Sequence, residues 1–412
     1  MTGIVRYLAP DTDAYVASVQ LHADEFETQT GHRLEVRILD SDEYFSNRIG
    51  PLLSGDDACD VFMSGPVLLW EHVGAGLVEP LDEHLASVDA DFDLADFLPR
   101  LLEVNRWTGH AGDPLGTGPL LEVPVNCESY NLAFVPDILS ERGLDVPQTW
   151  DDYFAVARDV VRSSGGRIRG FGQRGRAEWH TMYTGFATQL WSCGGRDFDP
   201  DGRVAFADPD AVAVTESFID ALLEAGPVDW TEQRWYELAL DFGRGRYALL
   251  VDSDHYVAFF EDERHSELVG RIRYALPPAG PAGERRPNLW TWSLAMTAAS
   301  RDKPAARDFI AWAASAPFLL RSAGEGNMNP TRRSTWEDPG FRAFTAPWGD
   351  YATVSRQLLD EHATVLVTPT AHYREIALRW TEALREAYLG RDVGEALRAA
   401  AADAEPRFAA SD

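Results

Sequence analysis

The chain has 412 residues, 45% of them hydrophobic, and a formal net charge of −29 at pH 7. This length exceeds one ordinary core and fits two domains of the usual size. The acidic excess would repel phosphate backbones and anionic membrane surfaces, which attract proteins through Lys and Arg, so we expect no nucleic-acid partner. The sequence contains no run of about 18 apolar residues, the length that a membrane-spanning helix needs.

The first 85 residues alternate predicted strands with predicted helices. Residues 3–8 form the first predicted strand, and apolar residues then recur at helical spacing until Gly31 ends a single helix. Residues 34–38 alternate apolar and charged side chains, which indicates a second strand. Such alternation is typical of a parallel sheet with helical crossovers.

A stretch beginning at Ser129 combines four local signals in sequence. A predicted strand ends at residues 130–131, a short helix follows over 136–142, and Gly143 is well placed to stop that helix. Thr149 and Asp152 then form a variant of the capping box that opens the next helix.

This arrangement resembles the extracellular solute-binding proteins of family 1, the sugar-type receptors of ABC importers, which include maltose-binding-like receptors. Further motifs resemble the same family, in order, at residues 26–36, 60–63, 76–81, 194–204, 242–250, 276–296 and 329–332. The resemblance implies an α/β, two-lobed periplasmic-binding-protein-like fold with a ligand cleft between the lobes.

The resemblance also implies lobes assembled from discontinuous segments. The first α/β lobe would comprise residues 1–124 and 295–324, and the second would comprise residues 125–294 and 325–412. The chain would cross between the lobes at residues 123–127, 292–295 and 324–330.

A neutral sugar has two apolar ring faces edged by hydroxyls, so its site needs aromatic platforms beside planar donors and acceptors. The resemblance implies that Trp292 stacks on the ligand, because it precedes a strand similar to the family's at residues 294–296. Glu178, Trp179 and Tyr183 occupy the stretch where family members place an aromatic residue against the ligand.

Ligands of open α/β sheets sit at the carboxyl ends of the strands. This rule adds candidates that follow the strand at residues 248–251, namely Asp252, Asp254, His255 and Tyr256. The same rule in the first lobe adds Asp11 and Ser64, with Tyr44 as a further platform. The remaining candidates lie at the lobe crossings or at the start of the last long helix: Asn126, Glu128, Asn327, Arg332 and Tyr373.

One segment has the spacing of a calcium loop. Asp197, Asp199, Asp201 and Asp208 occupy ligand positions of that loop, although Asp208 replaces the usual glutamate. The alternative is an Asp-Gly hairpin turn without metal. We therefore predict no firm metal site and no cofactor, with structural calcium as the alternative.

Cys59, Cys127 and Cys193 are widely separated and odd in number, so no disulfide framework is predicted, and whether any pair is bridged stays open. The first 20 residues lack a basic start and an apolar region, so no secretory signal is visible. The resemblance favours an extracytoplasmic protein, periplasmic or lipid-anchored at the cell surface, whose leader was removed; the alternative is a cytoplasmic protein.

The resemblance implies a monomeric substrate-binding protein that captures a carbohydrate, with an oligosaccharide preferred, by hinge closure and delivers it to a permease. One alternative keeps the fold and binds a polyamine or other cationic solute between carboxylates and ring faces. A carbohydrate-cleaving hydrolase is the other. No nucleophile elbow, zinc-protease motif or phosphate loop supports an enzyme.

Overall fold

A computed structural model describes residues 3–11, 14–46, 49–88, 92–183 and 185–410, and of Tyr183 the backbone alone. The described residues form nine strands: β1 Ile4–Pro10, β2 Arg33–Leu39, β3 Val61–Ser64, β4 Val78–Glu79, β5 Glu122–Phe134, β6 Arg169–Gly172, β7 Tyr247–Ser253, β8 Arg273–Ala275 and β9 Leu289–Thr297.

The α-helices are α1 Ala14–Leu21, α2 Ala23–Thr30, α3 Ser41–Tyr44, α4 Pro66–Gly74, α5 Asp82–Leu85, α6 Pro99–Glu103, α7 Pro136–Ser140, α8 Trp150–Ser164, α9 Gly185–Ser192, α10 Pro209–Ala225, α11 Trp235–Gly243, α12 Val257–Phe260, α13 Lys303–Ala313, α14 Ala316–Gly324, α15 Arg333–Glu337, α16 Pro339–Thr345, α17 Tyr351–Gln357, α18 Tyr373–Tyr388 and α19 Val393–Ala409. In the part of the chain that the structure describes, no helix is both long enough and apolar enough to cross a membrane.

The chain divides into two compact units, each built from three segments. The first unit comprises Met1–Cys127, Trp290–Phe344 and Pro369–Ala371, and the second comprises Glu128–Leu289, Thr345–Thr368 and His372–Asp412. The first boundary falls inside β5, so a single strand contributes to both units.

Residues 325–344 belong to the first unit, whereas the sequence placed them in the second lobe. Long-range hydrogen bonds explain this grouping, because the Thr331 hydroxyl donates to the Pro124 carbonyl and the Arg332 guanidinium donates to the Ala314 carbonyl. Which segments move together as a lobe stays a prediction.

The sheet of the first unit is mixed. β1 lies between β2 and β3 and is parallel to both, while β9 returns antiparallel to β3 and also pairs with β4. Helix α13 packs its apolar face, including Phe309 and Ile310, into the core of this unit. The predicted alternation of strands and helices therefore produces parallel pairing here, as expected.

The sheet of the second unit has the order β6-β7-β5-β8. β6 and β7 are parallel, whereas β5 runs antiparallel to β7 and to β8. Its core contains a stacked pair of rings, Phe206 and Trp380, whose centroids are 4.3 Å apart. Trp380 lies on α18, so this helix packs into the core of the second unit.

Several local predictions are confirmed. Thr149 and Asp152 form the reciprocal capping box at the start of α8, and Gly31 ends α2 in a left-handed conformation with φ 73°. Two predictions were wrong in detail. The predicted single helix before Gly31 is interrupted at His22, whose ring bonds Glu325 at 2.8 Å, and β5 continues past residue 131 to Phe134 because β8 pairs with its last residues.

Candidate functional site

Arg174 and Asp252 form a buried ion pair at the carboxyl edge of the second unit's sheet. Arg174 follows β6, and Asp252 lies near the end of β7. Because β6 and β7 are parallel, their carboxyl ends lie at the same edge of the sheet. Arg174 Nε donates to Asp252 Oδ2 at 3.0 Å and Nη2 donates to Oδ1 at 2.6 Å. This bidentate geometry fixes the guanidinium plane.

Tyr256 lies against the same pair. The Arg174 guanidinium carbon is 5.5 Å from the centroid of the Tyr256 ring. Burial disfavours the charge on Arg174, but Asp252, with further contributions from the surroundings, outweighs burial and raises the pKa of Arg174 well above its ordinary value. The guanidinium is therefore a permanent cation in this site.

Asp254 is buried and is bound by Ser129, which lies in the part of β5 that belongs to the second unit. Its carboxylate accepts hydrogen bonds from the Ser129 backbone N–H at 2.9 Å and from the Ser129 hydroxyl at 3.0 Å. Burial raises the pKa of Asp254 to about 6, although these bonds oppose the shift. His255 and Glu128 beside it are half-buried.

The loop after β6 is organised around Glu178. The carboxylate of Glu178 lies 3.1 Å from His180 Nε2, 3.2 Å from Arg234 Nε and 3.5 Å from Arg176 Nε. Partial burial raises its pKa, but the hydrogen bond from His180 and the neighbouring charges, including Arg234 and Arg176, outweigh burial and lower the pKa of Glu178 to about 2. Glu178 thus holds this loop together, and the half-buried Trp179 packs edge-on against His180 at 5.3 Å.

The carboxyl edge of the first unit's sheet carries three predicted residues. Asp11 follows β1 and accepts hydrogen bonds from the Ser41 backbone N–H and hydroxyl. Tyr44 is buried and its hydroxyl donates to the Met63 carbonyl at 2.5 Å, so its ring packs in the core and is not an open platform. Ser64 ends β3 and is fully buried.

Glu122 occupies the centre of a polar cluster in the first unit. The carboxyl group is fully buried, and among the described residues neither oxygen makes a hydrogen bond of normal geometry. Burial raises the pKa of Glu122 to about 8, while the neighbouring hydroxyls of Ser64 and Ser293 partly oppose the shift. The group is therefore a neutral acid at neutral pH.

Trp292, like Trp179, is a predicted platform that stays partly exposed. It lies on β9 in the first unit, where its ring centroid is 5.7 Å from Phe45 and 5.6 Å from Trp290. Both rings contact the indole, and ligand contact stays a prediction.

Four predicted residues are buried in hydrogen-bonded or packed positions. Arg332 is fully buried, donates to the carbonyls of residues 92, 93 and 314, and lies 3.9 Å from the centroid of the Phe97 ring. The other three are Asn126 and Asn327, which bond each other, and Tyr373 at the start of α18. Ligand contact by these four side chains stays a prediction. The Tyr183 side chain lies outside the described residues.

The predicted calcium loop is held by protein groups. Asp197 accepts hydrogen bonds from the Thr368 N–H and hydroxyl, and Arg203 binds Asp199 and Asp208, while Asp201 is exposed. No group of three or more His, Cys, Asp or Glu side chains is arranged for a metal ion among the described residues. The arrangement does not fit a calcium ion without displacement of Arg203, and calcium binding stays a prediction.

The second unit also contains a cavity of about 530 Å³ formed by segments 191–198, 281–286 and 364–368. None of the predicted ligand-contacting residues lines it.

The sequence analysis missed two residues of these polar clusters. Arg174 lies two residues beyond β6, and the carboxyl-edge rule that selected Asp252 would also have selected it. No sequence signal marks Glu122, because a glutamate at the start of a strand is common. Its burial depends on β3 and β9, which carry the neighbouring Ser64 and Ser293.

Comparison with known proteins gives consistent results. A family model for bacterial extracellular solute-binding proteins matches residues 9–317. The erythritol/L-threitol-binding protein of Mycolicibacterium smegmatis is 30% identical over 396 residues, covering 94% of this chain and 82% of the relative. The mannitol-binding protein of Pseudomonas aeruginosa is 25% identical over 326 residues, covering 77% of this chain and 71% of the relative.

Solved structures share the fold. The ribitol complex of an ABC transporter solute-binding protein from Agrobacterium radiobacter K84 has a TM-score of 0.85 at 20% identity, and 98% of each chain is covered. Maltose-bound MalE3 of T. maritima has a TM-score of 0.81 at 21% identity, covering 98% of this chain and 99% of that one. The predicted two-lobed α/β fold is thereby confirmed, and the chain belongs to the bacterial extracellular solute-binding protein family.

Proposed function

We propose that this protein is the substrate-binding protein of an ABC importer and that it captures a neutral polyhydroxyl solute, with a sugar alcohol ahead of an oligosaccharide. The observation that carries the proposal is the 30% identity, over 94% of the chain, to an erythritol/L-threitol-binding protein. A second relative is named a mannitol-binding protein. Our preference for an oligosaccharide, made from the sequence, gives way to the smaller ligand on this ground.

Side chains of each unit suit such a ligand. Trp292 and Trp179 offer partly exposed rings, and Glu128 and His255 offer half-buried polar groups. Planar donors and acceptors bind hydroxyls, and ring faces cover the carbon backbone between them. Ligand capture by hinge closure, in which the closed form gains contacts that the open form lacks, follows as the mechanism.

The remaining parts of the proposal concern the setting of the protein. The loaded receptor would deliver its ligand to a permease outside the cytoplasm, as a monomer without catalytic activity. Two of the relatives are named as ABC transporter binding proteins, which supports this setting.

Calorimetry on the ligand-free protein tests the proposal. The panel contains erythritol, L-threitol, D-mannitol, ribitol, maltose, maltotriose and spermidine, and each bound ligand should raise the melting temperature by mass action. We expect binding of at least one sugar alcohol and its loss, by tenfold or more, in Trp292→Ala. The matched control is Trp348→Ala, which removes another half-buried tryptophan outside the predicted site.

The other outcomes separate the alternatives. Binding of spermidine alone would replace the proposal by capture of a cation. Release of glucose from maltotriose would replace it by a hydrolase. Binding of maltotriose but of no sugar alcohol would restore the oligosaccharide preference.

A further inference from the structure

We propose that Glu122 is a positioning residue for ligand binding. Its neutral carboxyl group holds in place the part of β9 that carries Trp292, and its ionisation weakens ligand binding by displacing that segment. This assignment deepens the proposed function and rests on it, because it takes Trp292 to contact the ligand. Both residues lie in the first unit.

Glu122 belongs to a buried polar cluster with Ser64, Ser293, Asn105 and Thr291, all of which are 0% exposed. Ser64 and Ser293 are partners across β3 and β9, so their side chains lie on the same face of the sheet. Both hydroxyls lie beside the Glu122 carboxyl group. Asn105 Nδ2 donates to Ser293 Oγ at 3.2 Å, and the Thr291 hydroxyl donates to Asn105 Oδ1 at 3.1 Å. The cluster therefore extends from Glu122 along β9.

Trp292 lies between two members of the cluster along β9. Side chains alternate between the two faces of a strand, so Trp292 points away from the side chains of Thr291 and Ser293. Its ring contacts Phe45 and Trp290 instead. The hydrogen bonds that Thr291 and Ser293 make within the cluster restrain the strand on either side of Trp292. A change in the cluster that displaces Ser293 therefore displaces the indole as well.

The charge of Glu122 depends on its own proton. Among the described residues, neither carboxyl oxygen makes a hydrogen bond of normal geometry, and no charged side chain contributes to its titration. The titratable groups coupled to it are Tyr44 on α3 and, through Tyr44, Tyr7 on β1 and Cys59. Burial raises the pKa of Tyr44 and that of Cys59, the latter to about 12, so both groups are neutral at pH 7. A bound proton is thus what neutralises Glu122.

Ionisation changes the hydrogen bonding that Glu122 can offer. The neutral carboxyl group can donate its proton to one neighbouring oxygen and accept from another group, whereas the carboxylate can only accept. A buried carboxylate without a cation is costly, so ionisation favours displacement of the surrounding side chains, including Ser293. Burial raises the pKa of Glu122 to about 8, so the neutral form predominates at pH 7. Ligand binding should therefore take up protons wherever the free protein is partly ionised.

Calorimetric titration of the full chain between pH 6 and pH 9 tests this assignment. The ligands are erythritol, L-threitol, D-mannitol and ribitol, and the titrations at pH 8 are run in Tris and in HEPES, whose heats of ionisation differ. We expect the affinity for the bound sugar alcohol to be about tenfold lower at pH 9 than at pH 7, because only the protonated fraction binds. At pH 8 we expect the uptake of about half a proton per ligand.

Two variants assign the proton to Glu122. Glu122→Gln cannot ionise, so it should keep its affinity unchanged from pH 6 to pH 9 and bind without proton uptake. Ser293→Ala removes a hydroxyl that lowers the pKa of Glu122, so the fall in affinity should move to higher pH. The control is Glu261→Gln, because Glu261 is a half-buried glutamate of the second unit whose pKa is also raised by burial. Its pH profile should equal that of the wild type.

The failures are distinguishable. A wild type that binds none of the four sugar alcohols at any pH overturns the proposed function and, with it, this assignment. A wild type that binds one of them with equal affinity at pH 7 and pH 9 and without proton uptake overturns the assignment and leaves the proposed function standing. A Glu122→Gln variant that shows the wild-type fall, or a Glu261→Gln variant that loses it, does the same. Circular dichroism at each pH establishes that the proteins are folded, and the wild-type proton uptake does not depend on any variant.

Discussion

Asp252 in the second unit and Glu122 in the first unit are both buried carboxyl groups, and burial raises the pKa of each, but of the two Asp252 alone has a cation beside it. Asp252 receives two hydrogen bonds from a guanidinium, and Glu122 has only serine hydroxyls beside it. A buried carboxylate is tolerated when a cation pairs with it, whereas one without a cation takes up a proton. The comparison teaches that burial alone does not decide the charge of a side chain.

The largest expected effect comes from removal of the cation that pairs with Asp252. Arg174→Met should lower the free energy of unfolding by about 3–5 kcal/mol, because it leaves a buried carboxylate without its partner. Urea unfolding at pH 7 measures this change. The double variant Arg174→Met/Asp252→Asn should recover most of the loss, and a double variant as unstable as the single one would contradict the explanation.

The next effect concerns Glu122 and depends on pH. Its folded pKa of about 8 lies above the ordinary glutamate pKa of 4.5, so the native state holds the proton more tightly than the unfolded chain between these two pH values. The free energy of unfolding should then fall by about 1.4 kcal/mol per pH unit as pH rises through this window, and level off above it.

Glu122→Gln removes that titration. We expect the variant to match the wild type near pH 4 and to exceed its stability by about 3 kcal/mol at pH 7. Urea unfolding of both proteins from pH 4 to pH 9 gives the difference profile. A flat difference across this range would mean that the carboxyl group is ionised in the folded protein.

Asp254 should show a smaller effect in a lower pH window. Its folded pKa is about 6 and the ordinary aspartate pKa is 3.8, so the associated loss of stability occurs as pH rises between these values and is complete above pH 6. Asp254→Asn should gain about 1–2 kcal/mol at pH 7, because the amide retains only part of the hydrogen bonding to Ser129. A gain that continues to grow between pH 7 and pH 9 would contradict this assignment.

The smallest effect is expected at an exposed ion pair. Arg264→Met breaks the pair with Asp262, in which the arginine side chain is 82% exposed, and should leave the free energy of unfolding almost unchanged because solvent screens the pair. Urea unfolding at low and high salt provides the measurement. A loss similar to that of Arg174→Met would remove the contrast between buried and exposed pairs.

Local features of the fold could be predicted from the sequence, because their causes lie within a few residues. The capping box of Thr149 and Asp152 and the left-handed turn at Gly31 are examples. The family motifs, read in order, also gave the correct fold class. The capping box and the turn depend on neighbouring residues and not on the rest of the chain.

The polar clusters could be predicted only in part, because their members are far apart along the chain. Arg174 and Asp252 are 78 residues apart, and the sequence identified the aspartate without its partner. Arg332 was a candidate for ligand contact, but its guanidinium bonds carbonyls up to 240 residues away. Such partners are chosen by the assembled sheets and not by neighbouring residues.

The return of β9 to the first sheet has a consequence for biosynthesis. β9 pairs with β3 and β4, yet more than 200 residues separate β3 from it along the chain. A nascent chain that has just emerged through residue 127 therefore leaves an edge of β3 without its neighbour. The ribosome must complete most of the second unit before the first can close its sheet, so the first part of the protein to be synthesised is not the first that can finish folding.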